Sequence, residues 1–201
     1  MNIFEELYHR YPQLTTCASE IARAFDVLLA CYRDGGKVLT CGNGGSAADA
    51  EHIVGELLKK FRKHRAVDAA VAAKLPPELT AKLEGALPAV SLVSMSGLLT
   101  AFANDVAGET AFAQQVLGLG RPGDVLVALS TSGNSANCVD AALVARAKGM
   151  KVVAMTGAGG GRLGELADAA VKVPETETFK IQELHLPVYH ALCAAVEEAL
   201  F

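Results

Sequence analysis

The sequence of 201 residues contains no CxxC pair, and its five cysteines (Cys17, Cys31, Cys41, Cys138, Cys193) are odd in number and widely spread. That pattern suggests neither a disulfide framework nor a thiolate zinc site, and a reducing compartment is the simple reading. No stretch reaches the uninterrupted apolar length of a membrane span. The opening residues, MNIFEELYHRYPQL, carry acids and a proline where a secretory leader would need a continuous apolar core. A soluble, cytoplasmic protein with no membrane partner is expected. Charge of one sign is also scarce: the net charge of −4 argues against a general polyanion-binding face, so nucleic acid is not the expected ligand. A local anion pocket needs no such global charge. The one basic cluster, Lys59-Lys60-Phe61-Arg62-Lys63-His64-Arg65, reads as a solvated helix end, one member of which could reach a phosphate. Solenoid repeats and low-complexity tracts are missing as well.

What is present is ample core material. With 51% hydrophobic and 20% charged residues, the chain suits one domain over 1–201 that folds without staples. Apolar residues at helical spacing (Leu14, Cys17, Ile21, Ala24, Phe25, Leu28, Leu29, Tyr32) predict an amphipathic helix over 14–34, inside an N-terminal helical segment of about 1–34 that Gly35-Gly36 stops. KVLTC (37–41) then reads as a buried strand, followed by a glycine loop and an alanine-rich helix. The pattern recurs at PAVSLVS (88–94) with a helix through Asn104, at DVLVALS (124–130) with a helix to Lys148, and at KVVAMT (151–156). AAVKV (169–173) precedes a long helix from about Glu177 onward. Strands alternating with helices imply a parallel sheet, because each parallel crossover needs a helix to return the chain. The expected fold is α/β: a three-layer αβα sandwich on a five-stranded parallel sheet. Residues 66–87, interrupted by Pro76-Pro77, are too short for a core of their own and read as a surface insertion.

Ligands of open parallel sheets bind beyond the carboxyl ends of the strands, near the point where strand order reverses. Two loops fall at such ends. CGNGGSAAD (41–49) offers small residues for close backbone approach, with Ser46 at the start of a helix whose unpaired N–H groups attract anions. STSGNS (130–135) offers the hydroxyls of Ser130, Thr131, Ser132 and Ser135 before another helix. Hydroxyls at a helix N-terminus suit a phosphate, although Gly and Ser also make ordinary turns and caps. Neither loop is a Walker A or a dinucleotide fingerprint, so no nucleotide cofactor is expected. His52 and Glu56, four apart on the helix after the first loop, share a face and can address one ligand or metal. On the last helix, QELHLPVYH (182–190) brings Gln182, Glu183, His185 and His190 into an otherwise apolar segment.

In that order, CGNGGSAADAEH, Asn104-Asp105, STSGNS and the QELHLPVYH helix resemble the phosphoheptose isomerases of the SIS superfamily, over nearly the whole chain apart from 66–87. The resemblance implies a flavodoxin-like SIS fold and an aldose–ketose isomerase interconverting sedoheptulose 7-phosphate and D-glycero-D-manno-heptose 7-phosphate. It also implies a homotetramer with sites at subunit interfaces. By the same resemblance, His52, Glu56, Gln182 and His190 match zinc-binding residues, and Glu56 and His190 match the acid/base pair. Asn43, Gly44, Gly45, Asn104, Asp105, Ser130, Thr131, Ser132, Ser135 and Gln182 match substrate contacts, to which the helix start adds Ser46.

An enediol route is chemically reasonable, since a carboxylate and an imidazole on opposite sides of a sugar can move a proton between neighbouring carbons. Two features depart from the family pattern. Lys60 stands where arginine is expected, and Pro187 interrupts the donor series of the last helix. Rival readings are a non-catalytic SIS protein that senses a phosphosugar or associates with a replication initiator, an isomerase of another ketose phosphate, and a last helix whose histidines are only satisfied core groups.

Overall fold

The computed structural model describes residues 2–201. Five parallel strands form one sheet in the order β2-β1-β3-β4-β5: β1 (Val38–Cys41), β2 (Ala89–Ser91), β3 (Val125–Leu129), β4 (Lys151–Thr156) and β5 (Ala169–Lys172). Successive side chains of a strand face opposite sides, and both sides here are apolar. Val38, Val125, Val127, Leu129, Val153 and Met155 point into one core, whereas Leu39, Cys41, Leu126, Ala128, Val152 and Ala154 point into the other.

The first core is closed by α1 (Ile3–Arg10), α2 (Ala18–Arg33), α3 (Gly45–Leu58) and α10 (Thr178–Leu200). The short helical turns α4 (Ala69–Ala72) and α5 (Pro77–Thr80) lie within 66–87 and bury no residue. The second core lies under α6 (Ser96–Phe102), α7 (Ala111–Leu119), α8 (Ala136–Ala147) and α9 (Gly161–Leu166). The result is the expected three-layer αβα sandwich. Strand order reverses between β1 and β3, so the loops leaving these neighbouring strands share one end of the sheet.

Several boundaries differ from the sequence reading. The helix expected over 14–34 starts only at Ala18, because Pro12 opens a 3-10 segment, Pro12–Cys17, tightened by Thr15 and Thr16 hydroxyls donating to the Pro12 and Gln13 carbonyls. A separate α1 precedes it, started by a reciprocal capping box between Asn2 and Glu5. The second strand is shorter than 88–94, since it pairs only with β1 along Ala89–Ser91. The helix expected to run through Asn104 widens after Phe102 into a π turn, Ala103–Ala107. Pro187 does not divide α10, which runs unbroken from Thr178 to Leu200.

The basic cluster is not uniformly a solvated helix end. Arg65 is fully buried: its Nε donates to Glu197 Oε1 at 2.7 Å, Nη1 to the Leu57 carbonyl at 2.6 Å and Nη2 to the Glu56 carbonyl at 3.0 Å. The Glu197 carboxylate also accepts the amides of Phe61, Arg62 and Lys63, so this ion pair replaces the lost hydration of both charges.

Candidate active site

At the reversal point the chain turns sharply after β1. Gly44 takes a φ of 57° as α3 begins, a conformation that disfavours any side chain. Asn43, Gly44 and Gly45 are exposed while Ser46 is buried, so the loop offers backbone and one amide side chain to the outside. After β3, the hydroxyl of Ser135 does not cap α8; it faces Ser130 Oγ at 2.9 Å. The N-cap side chain makes no capping bond, and Asn137 Oδ1 takes only the Cys138 amide, at 3.0 Å, which leaves the positive end of the helix dipole at the Ser130–Ser135 loop. The two loops are tied together by a reciprocal amide pair, Asn43 with Asn137, at 2.8 and 2.9 Å. Asn137 was not singled out from the sequence, since nothing local distinguishes an asparagine one residue inside a helix. Gly133 (φ 68°) allows the second loop to dock on the turn after β4, where any Cβ would lie 1.9 Å from the Gly160 carbonyl oxygen.

Two turns along α3, His52 and Glu56 meet His190 of α10. His52 Nε2 is 3.2 Å from Glu56 Oε1 and 3.4 Å from His190 Nε2, and ligand atoms of the three residues lie within 4.8 Å of one another. The second carboxylate oxygen of Glu56 accepts from Lys59 Nζ at 3.0 Å. Behind His52, Tyr189 is buried, with its hydroxyl 3.0 Å from His52 Nδ1 and 3.1 Å from Asp49 Oδ1. Burial pushes the Asp49 carboxyl above its ordinary value, against the hydrogen bond from Tyr189 and the nearby His52. Burial, then the neighbouring His52, holds His190 below the usual histidine range. Two imidazoles and a carboxylate with converging lone pairs form a donor set that a divalent cation such as zinc accepts.

The remaining expected residues are placed differently. Gln182 lies eight residues before His190, about 12 Å along the helix, and its side-chain amide rests against Gly45, within 2.8 Å of where a Cβ would stand. Its amide reaches the glycine loop, and His52, Glu56 and His190 form the compact cluster. Asn104 and Asp105 sit exposed on the π turn. Among the described residues their side chains pair with each other, at 2.7 Å, and with neither loop. Lys60 pairs with Glu84 at 3.1 Å, a residue of the 66–87 segment. His185 turns into the core, with Nε2 3.3 Å from the Thr156 carbonyl, and takes no part in the cluster.

The sequence matches the SIS domain family model over residues 4–85 and 78–157. It is 46% identical over 188 residues to a phosphoheptose isomerase of Rhodospirillum rubrum, an alignment covering 94% of this chain and 90% of the relative. Among solved structures, the phosphoheptose isomerase of Neisseria gonorrhoeae superimposes with a TM-score of 0.77 at 34% identity, covering 97% of this chain and 95% of that one. The Francisella tularensis phosphoheptose isomerase gives a TM-score of 0.79 at 32% identity, with coverage of 97% and 94%.

Proposed function

The chain belongs to the phosphoheptose isomerase family of SIS-domain proteins, and from that premise we propose how its residues interconvert sedoheptulose 7-phosphate and D-glycero-D-manno-heptose 7-phosphate. The observation that carries the reading is the cluster of His52, Glu56 and His190 beside two anion-suited loops at the reversal point of the sheet.

The substrate phosphate is assigned to the Ser130, Thr131, Ser132 and Ser135 hydroxyls and the start of α8. Asn43, Gly44, Gly45, Ser46 and Gln182 are assigned to the sugar between the phosphate and the cluster; in support, Asn43, Gly44 and Gly45 are exposed and the Gln182 amide lies against Gly45. Glu56 takes a proton from C1 of the open-chain ketose while His190 gives one to the C2 oxygen, producing an enediol. Return of the proton to C2, with loss of the O1 proton to His190, yields the aldose, and neither residue is changed overall. Lys59 holds one oxygen of Glu56 and leaves the other facing the cluster, which fixes the direction of attack. Zinc held by His52, Glu56 and His190, with Gln182 as a fourth ligand, would polarise the sugar carbonyl. Asn104 and Asp105 are assigned to the substrate of a neighbouring subunit, in a homotetramer whose sites lie at subunit interfaces. In keeping with this, they are exposed and apart from their own chain's loops. We read 1–201 as one SIS domain with 66–87 as a surface insertion, and the protein as cytoplasmic. In support, no helix among the described residues is long and apolar enough to cross a membrane.

The test is NMR of sedoheptulose 7-phosphate in heavy water. The parent protein should place deuterium at C1 or C2 and form aldose, and Glu56→Gln should lower both by about 10²–10⁴-fold. Undiminished exchange in Glu56→Gln would remove the assigned base. Saturable binding without exchange in the parent would make the chain a phosphosugar-binding module.

A further inference from the structure

We infer that Tyr189 and Asp49 are positioning residues that lock His52 into the tautomer carrying its proton on Nδ1, so that its Nε2 lone pair is presented to Glu56 and His190. The argument is a count of protons along three contacts. Tyr189 has one hydroxyl proton and lies 3.1 Å from Asp49 Oδ1, an oxygen that, when ionised, can only accept. That proton goes to Asp49. The Tyr189 oxygen can then meet His52 Nδ1, 3.0 Å away, only as an acceptor, so Nδ1 must carry the imidazole proton. In the neutral ring Nε2 is then bare.

The consequence appears on the other side of the ring. Nε2 stands 3.2 Å from Glu56 Oε1, which has no proton to give, and 3.4 Å from His190 Nε2. The lone pairs of His52 Nε2 and the ionised Glu56 carboxylate repel at 3.2 Å unless something positive, a cation or the His190 N–H proton, lies beside them. The relay thus places the one proton of the neutral His52 ring away from the cluster and leaves its Nε2 open to a cation. Histidine ligands of metals commonly place their second nitrogen on a carboxylate in this way, and removing the outer partner weakens binding by about 10- to 100-fold. Here the carboxylate acts through a phenol. Tyr189 suits the task because it is 2% exposed and its ring packs edge-on to His52, with centroids 5.5 Å apart. The two elements are also registered for it. Asp49 and His52, three residues apart, share a face of α3, and Tyr189 immediately precedes His190 on α10.

The inference rests on the reading of His52, Glu56 and His190 as a metal centre, but its first test does not need the metal. In chelator-treated protein, ¹⁵N-edited NMR of the histidine rings should show His52 protonated on Nδ1, and Tyr189→Phe should move the proton largely to Nε2. An Nε2-protonated His52 in the parent overturns the proposal. The second test titrates zinc against a chromophoric chelator. Tyr189→Phe and Asp49→Asn should each bind it about 10- to 100-fold more weakly than the parent. Their melting temperatures should stay close to that of the parent, and Asp49→Glu should recover part of the loss. Equal affinity in the parent and both variants overturns the relay and leaves the metal centre standing. A parent that binds no zinc beyond the level of His52→Ala overturns the metal centre, and the ring NMR still decides the tautomer. Should Tyr189→Phe fail to fold, Asp49→Asn carries both measurements.

Discussion

His185 is a histidine spent on the fold rather than the reaction. It is fully buried, its Nε2–H donates to the Thr156 carbonyl, and its Nδ1 has no partner among the described residues. Burial pushes its pKa down from 6.5 to about 4, with the Thr156 contact opposing. In the unfolded chain the ring takes a proton below about 6.5, whereas the folded chain resists until about 4. The unfolded state therefore binds more protons in that window, and stability falls as pH drops through it, by about 3 kcal/mol in all. Urea unfolding at pH 7 and at pH 4.5 measures the loss, and His185→Gln should flatten it. The sequence marked His185 as a candidate only because it shares a segment with His190. On a helix of 3.6 residues per turn, five positions swing a side chain about 140° around the axis, which separates a core histidine from a cluster histidine. Tyr189 escaped notice for the opposite reason. Its partners Asp49 and His52 are 140 and 137 residues away in sequence, and no local pattern carries such a pairing.

At the scale of elements, the Arg65–Glu197 pair joins the end of α3, the 59–65 segment and α10, the elements that hold Glu56 and His190 against each other. Burial raises the Glu197 pKa, but the Phe61 and Arg62 amides and Arg65 outweigh it and hold the carboxyl below the ordinary range. Its stabilisation is accordingly present above the ordinary carboxylate pKa and is lost as pH falls through the lowered one. Glu197→Gln should cost about 3–5 kcal/mol in urea unfolding at neutral pH, since it leaves a buried guanidinium uncompensated. Arg65→Met combined with Glu197→Leu should cost less than Glu197→Gln alone. The loops offer a second case: Gly133→Ala forces a left-handed residue and a clash with Gly160, so it should lower stability by at least about 1–2 kcal/mol and raise KM for the sugar phosphate. The strands were legible as short β-branched and apolar runs, two of which, β1 and β4, end directly at glycines, and both loops were legible because their glycines precede helices. The partition of the basic cluster was not: the Arg65 side chain is drawn in by Glu197, 132 residues away, and by the Leu57 and Glu56 carbonyls.

On the scale of the whole molecule, the αβα layering follows from alternation within each strand, which dictates a helix layer on both faces. Association is where the single chain and the site meet. The His52 side chain is 42% exposed, and Asn104 and Asp105 stand away from their own loops. Sedimentation velocity at micromolar concentration should give a four-chain species, whereas a monomer would remove the shared-site reading. The two cores also hold their own reporters. All five thiols are free and buried: Cys17, Cys31 and Cys193 on the side of α2 and α10, Cys41 and Cys138 on the side of α7 and α8. Burial pushes Cys17 and Cys31 up to about 11 and Cys193 to about 12, so none of these three reacts readily while folded. Alkylation rates followed peptide by peptide in mild denaturant would thus clock the opening of each side of the sheet separately, with no probe added to the chain.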